Sequence, residues 1–145
     1  MRLPLDEKIN GLRKLEKKYG SELVEKKVQF FIKKRTIKEW QRIANESKKN
    51  DVTTFVDILW NKLCKAEGIK FIINKKNSNN IKIHCTFCPA VARYKKLDAL
   101  DWGYELYCKT DDYMVIGFNP KINFKRTKTL MQGDECCNHS YSIQK

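Results

Sequence analysis

The feature that most constrains the fold is a change of hydrophobic period at Gly68. Before it, apolar residues recur at helical spacing; after it, they alternate or cluster as in strands. Leu5, Ile9, Leu12, Leu15 and Tyr19 step by three and four, and Gly20 follows as a stop. Ser21 is placed to cap a second helix to about residue 45, carrying Val24, Val28, Phe31, Ile37, Trp40 and Ala44. Val52, Phe55, Val56, Leu59 and Leu63 form the cleanest stripe, with Cys64 beside it as a small core residue, and this third helix runs to Gly68. Phe71–Ile73 and Ile81–Thr86 then read as short strands separated by the polar run 74–80. Pro89 opens a short helix to about residue 96, the pattern predicts another over 102–116, and 117–120 makes a turn before strands at about 121–131 and 136–143. The expectation is α+β: N-terminal helices packed on a small antiparallel sheet with further helices. The 145 residues are read as a single domain, 1–67 helical and 68–145 mixed.

Composition narrows the function classes. Hydrophobic residues at 41% and charged residues at 32% fit a globular chain. No apolar run reaches the roughly 20 residues of a membrane span, and the first residues lack a signal-peptide core, so the expected location is cytoplasmic, with no membrane partner. The net charge of +13 is spread evenly: residues 1–67 hold 17 basic and 10 acidic side chains and residues 68–145 hold 13 and 7. A nucleic-acid binder concentrates its charge in a stripe or arm, so no nucleic-acid partner is expected. A homo-oligomer is left open. In a reducing compartment the six cysteines read as thiols, thiolates or metal ligands rather than disulfides.

The candidate chemistry lies in the second half. In the last strand, alternation puts Cys137, His139, Tyr141 and Ile143 on the inner face and Cys136 on the other. In the strand before it, Arg126 shares a face with Ile122 and Phe124; a buried guanidinium needs an anion, either a ligand carboxylate or one of Asp111, Asp112 and Asp134. On the 102–116 helix, Cys108 and Asp112 are spaced i,i+4 with Glu105 one turn earlier, so a carboxylate could serve as base toward water or the thiol, although Glu105 reads better as a solvated acid. Cys88 precedes Pro89 at a helix N-terminus, a setting that favours a thiolate. Cys88, Cys108, Cys137 and His139 also have the donor types of a tetrahedral site, which makes zinc a candidate cofactor. Met131, Tyr104 and Tyr107 read as core or pocket wall.

Five short patterns stand in order: C-P at 88–89, C-x-x-D at 108–111, G-F-N-P at 117–120, R-T-x-T at 126–129 and G-D-x-x-C-N-H-x-Y at 133–141. Together, over about residues 84–142, they resemble the L-2-amino-thiazoline-4-carboxylic acid hydrolase family. The resemblance implies a hydrolase that opens a small sulfur- and nitrogen-containing ring bearing a carboxylate. On that footing Arg126 would hold the carboxylate and Asn119 the amino group. Cys137 or Cys108 would attack or support attack, with Cys88 a further nucleophile candidate and Asp112 or His139 handling protons. The C-x-x-D pattern points to Asp111 where helix spacing points to Asp112. The alternative is a non-catalytic small-molecule- or zinc-binding sensor domain, similar in outline to vinyl-reductase-type ligand-binding domains.

Overall fold

The computed structural model describes residues 2–144. Helix α1, Leu5–Tyr19, turns at Gly20, whose φ of 87° lies in the region open to glycine, into the long α2, Ser21–Glu46. Gly20, not Ser21, is the cap of α2, and no side chain caps it; Ser21 is already helical. Helix α3, Val52–Val56, is capped by Asp51, whose side chain accepts from the Thr54 N–H at 2.8 Å, and it continues as a π-helical segment, Asp57–Cys64. The widened winding carries Trp60 and Cys64 onto the wall of the cavity described below.

Strands β1, Lys70–Asn77, and β2, Asn80–Phe87, form a hairpin through Ser78 and Asn79. The polar run expected to separate two short strands is therefore mostly strand itself, because the Asn77 side chain accepts the Asn79 N–H at 2.9 Å and closes the turn within two residues. Helix α4, Pro89–Lys96, follows; then α5, Leu100–Gly103, runs into a second π-helical segment, Tyr104–Cys108, and after Lys109 into α6, Thr110–Phe118. Strands β3, Asn123–Arg126, and β4, Cys137–Ser142, complete an antiparallel sheet of order β1-β2-β4-β3. Strand β3 is much shorter than the predicted 121–131. The Asn138 side-chain oxygen accepts the N–H groups of both Thr127 and Lys128, at 2.9 and 2.7 Å, and so takes the place of the ladder beyond Arg126. A short 3₁₀ turn, Leu130–Gln132, bridges to β4.

The observed class is α+β, as the change of period implies. Two apolar clusters hold it together. One packs Trp40, Phe55, Trp60 and Phe118 against the inner sheet face of Ile81, Ile83 and Tyr141; the other joins Ile9, Leu12 and Val24 to Tyr94, Trp102 and Met131. Each large side chain fully buried there stabilises the fold by about 1.5–3 kcal/mol. Helices α2 and α6 cross at Gly117, where an added Cβ would stand 2.6 Å from the Ile37 carbonyl oxygen and 2.9 Å from Trp40 Cβ. A backbone oxygen cannot swing away, so Gly117→Ala must force the helices apart. It is expected to cost about 2–3 kcal/mol, read as a lowered urea midpoint with unchanged slope.

Candidate functional site

The two clusters meet around a cavity of about 160 Å³, walled by Trp60, Ile69 and Cys85 from one and Cys108 and Met131 from the other. An apolar cavity of about 150 Å³ accepts a benzene-sized ring. Five of the six cysteines line it: Cys64, Cys85, Cys88, Cys108 and Cys137. Cys136, on the other face of β4, does not.

Strand alternation delivers Cys137 and His139 to the cavity, and Tyr141 to the wholly buried end of the same face. The His139 ring is fixed by its surroundings. Trp60 meets it edge-on at 4.7 Å between centroids, and Phe124 lies 5.5 Å away. The Trp60 N–H donates to Tyr141 Oη at 3.1 Å, and an indole N–H can only donate. Tyr141 Oη in turn lies 3.1 Å from His139 Nδ1, so the indole, the phenol and the imidazole form one hydrogen-bonded chain.

Arg126 is buried, as its place behind Ile122 and Phe124 predicted, and its anion is Asp111. Arg126 Nη1 donates to Asp111 Oδ2 at 2.6 Å and to the Cys108 carbonyl at 3.1 Å. That carbonyl is available because the chain changes course between the Tyr104–Cys108 segment and α6, as the Lys109 N–H reaches back to Tyr104 O. The predicted helix over 102–116 is present apart from Lys109, but its π-helical winding and this break remove the regular i,i+4 spacing. Cys108 and Asp112 do not share a stripe; Asp112 is exposed and lies outside the cavity, while Asp111 lines it, with Oδ2 4.0 Å from His139 Nδ1. Asn119 is also away from the cavity. It donates to Asn50 O at 2.7 Å and accepts the Lys121 N–H at 3.0 Å, as a turn residue. Glu105 accepts from Gln29 and Lys109, tying the π-helical segment to α2.

The thiols differ sharply. The Cys137 thiol is held well below the usual thiol range by the neighbouring Cys85 thiol, against the opposing effect of burial, and further by His139 and the Leu130 N–H, which donates at 3.2 Å. The Cys85 thiol is correspondingly raised, by Cys137 and by burial. Burial raises Cys64 and Cys108, with Asp111 adding to both. Cys88 stands at the N-cap position of α4 but makes no side-chain cap hydrogen bond, and burial outweighs the Ala90 and Val91 N–H groups and raises its thiol, so the helix terminus does not make it the thiolate. Burial raises the Asp111 carboxyl, with His139 and Arg126 pulling the other way. Burial opposes the Arg126 charge, but Asp111, Cys108 and Tyr104 together more than restore it. Among the described residues no group of three or more His, Cys, Asp or Glu side chains is arranged to hold a metal ion, so Cys88, Cys108, Cys137 and His139 line one cavity without converging as zinc ligands.

Sequence reasoning missed Cys85 as a cavity residue and took Cys64 for core. The Cys85 signal was available in β2, where Ile81, Ile83 and Cys85 alternate inward; that of Cys64 was hidden by the π-helical winding.

A depressed Cys137 thiol has a direct signature. An ordinary thiol of pKa about 8.5 loses on the order of 10²-fold in alkylation rate between pH 8 and pH 6. Cys137 is expected to lose less than about threefold over that range, checked by iodoacetamide labelling and peptide mass spectrometry. The sign for stability follows: folding lowers this pKa, so its contribution is present above the unfolded value and is lost as pH falls through the folded one.

The fold and site define an α+β protein with a thiol-lined cavity between its helices and one face of an antiparallel sheet. The chain belongs to the L-2-amino-thiazoline-4-carboxylic acid hydrolase family, whose model matches residues 9–141 and so takes in the helical half as well as the C-terminal patterns. No curated protein matches it. Among solved structures, the chain is similar to a trafficking protein particle complex subunit 3 from Naegleria fowleri covalently bound to palmitic acid, at 14% identity, covering 95% of this chain and 97% of that one with a TM-score of 0.47. It is also similar to the IWP-051-bound H-NOX from Shewanella woodyi, at 19% identity, 99% and 74% coverage and a TM-score of 0.48. No helix among the described residues is long and apolar enough to cross a membrane.

Proposed function

We propose that this protein opens a small sulfur- and nitrogen-containing ring by hydrolysis, as in the conversion of L-2-amino-thiazoline-4-carboxylate to N-carbamoyl-L-cysteine. The observation that carries the reading is Cys137, whose sulfur accepts the Leu130 N–H at 3.2 Å inside a ring-sized cavity beside His139 and the Arg126–Asp111 pair, a setting that lowers its pKa.

The substrate's C2 is bonded to the ring sulfur and two nitrogens and is electrophilic when the amidine is protonated. Cys137 Sγ adds to C2, and the C2–ring sulfur bond breaks, the amidinium proton passing to the departing sulfur. Water then adds to C2 of the enzyme-bound isothiourea, and the C2–Sγ bond breaks to return the thiolate and leave the urea. One water is consumed. Asp111, with its carboxyl raised by burial, suits the base that takes the proton from that water. His139, beside Cys137 in the cavity, steadies the sulfur anion. Because Arg126 Nη1 is committed to Asp111 and Cys108, the substrate carboxylate would meet the rest of the guanidinium. Asn119 has no part in this scheme, being hydrogen-bonded outside the cavity.

The test is mass spectrometry of L-2-amino-thiazoline-4-carboxylate incubated with the purified chain. N-carbamoyl-cysteine formed by the wild type, and lost in Cys137→Ala, is the expected result. Absence of product, with the substrate protecting Cys137 from alkylation, would replace the hydrolase by a small-molecule-binding domain.

A further inference from the structure

Ring opening as proposed uses one thiolate, yet Cys137 has a partner that this chemistry does not employ. Cys85 in β2 and Cys137 in β4 are directly opposed in antiparallel register. Such residues have Cα atoms about 4.5–5.5 Å apart, within the roughly 4.4–6.8 Å that a disulfide spans. Both side chains face the same cavity, and both are free cysteines. Cys85 is only 2% exposed, whereas Cys137 is partly accessible, so a small molecule reaches Cys137 first. Cys64, Cys88 and Cys108 share the cavity, but none of them lies opposite Cys137 in the sheet.

We propose that Cys137 and Cys85 form a peroxide-reducing dithiol, with Cys137 the attacking sulfur and Cys85 the resolving one. The substrate class is hydrogen peroxide or a small alkyl hydroperoxide. Cys137 Sγ attacks the outer oxygen of the peroxide. The O–O bond breaks, the sulfur is oxidised to a sulfenic acid, and the departing hydroxide or alkoxide takes up a proton and leaves as water or alcohol. The Arg126 guanidinium and the His139 ring N–H border the cavity and are the donors that meet the departing oxygen. The Cys85 thiol then attacks the sulfenic sulfur. An S–S bond forms, and the Cys85 proton leaves with the sulfenic oxygen as water. Two equivalents of a small-molecule thiol, entering at the more accessible Cys137, return the pair to its reduced form and become a disulfide themselves.

The experiment treats the fully reduced chain with one equivalent of hydrogen peroxide and reads intact mass and linked peptides. The wild type is expected to lose the mass of two hydrogens and two alkylatable thiols, in a peptide pair joining Cys85 to Cys137, and to consume peroxide repeatedly when dithiothreitol is supplied. In Cys85→Ser the mass of one oxygen is expected instead, on Cys137, trapped by a cyclic 1,3-dione. Both cysteines staying alkylatable in the wild type, or a disulfide that survives Cys85→Ser, would overturn the proposal. These readouts follow sulfur and peroxide, so they stand or fall separately from ring opening.

Discussion

Cys137→Ala is expected to lower kcat/KM for ring opening by about a thousandfold or more, equivalent to roughly 4 kcal/mol of transition-state stabilisation. The size follows from what the sulfur does. It is the thiol in the cavity whose pKa is lowered, by the Cys85 thiol, His139 and the Leu130 N–H, whereas burial raises those of Cys64, Cys88 and Cys108. Cys137→Ser separates chemistry from packing. A hydroxyl can still accept the Leu130 N–H, but it does not ionise near neutral pH, so the serine variant should fold as the wild type and lose nearly as much activity as the alanine one. Cys108→Ser should stay within several-fold of wild type. Initial rates of N-carbamoyl-cysteine formation are the measurement. A Cys137→Ser variant that kept more than about a tenth of wild-type activity would sink nucleophilic attack by this residue and leave direct attack by water.

The second large effect is on stability. The Arg126 side chain is 6% exposed and that of Asp111 20%, and the pair joins β3 to the start of α6 across the cavity. Arg126→Met strands a buried carboxylate beside His139, and Asp111→Leu strands a buried guanidinium. Each is expected to cost about 3–5 kcal/mol. For a chain of this length that corresponds to a melting temperature lower by on the order of 10 °C. The double variant should recover much of the loss, since no unpaired charge is left. A double variant as unstable as the sum of the singles would show that the two residues act independently. The Arg126→Met variant should also lose ring opening, having no cation for the substrate carboxylate.

How legible the site was depended on which period governed each element. Cys137 and His139 were readable because β4 keeps strict alternation, and a two-residue period leaves no freedom about which side chains share a face. Arg126 was readable in direction, behind Ile122 and Phe124, but its partner was not. The choice between Asp111 and Asp112 turned on a regular helix that the chain does not form; the π-helical segment and the break at Lys109 shift every later side chain around the axis, which exposes Asp112 and turns Asp111 inward. Asn119 stood in a turn-rich pattern and proved to be spent on that turn, with both its amide groups bonded to backbone.

The sequence by itself determined the α+β class, the helix and strand order, the inner face of the last strand and the family pattern, because these rest on local periodicity and on short runs of neighbouring residues. The tertiary structure alone decided that five thiols from separate elements share one cavity, that Cys85 lies opposite Cys137, and that Asp111 is the carboxylate facing Arg126. Those are contacts between residues far apart in the chain or beyond a break in the helix. They are fixed by sheet register and by the winding of α3 and the 104–108 segment, and neither leaves a mark on the local pattern of residues.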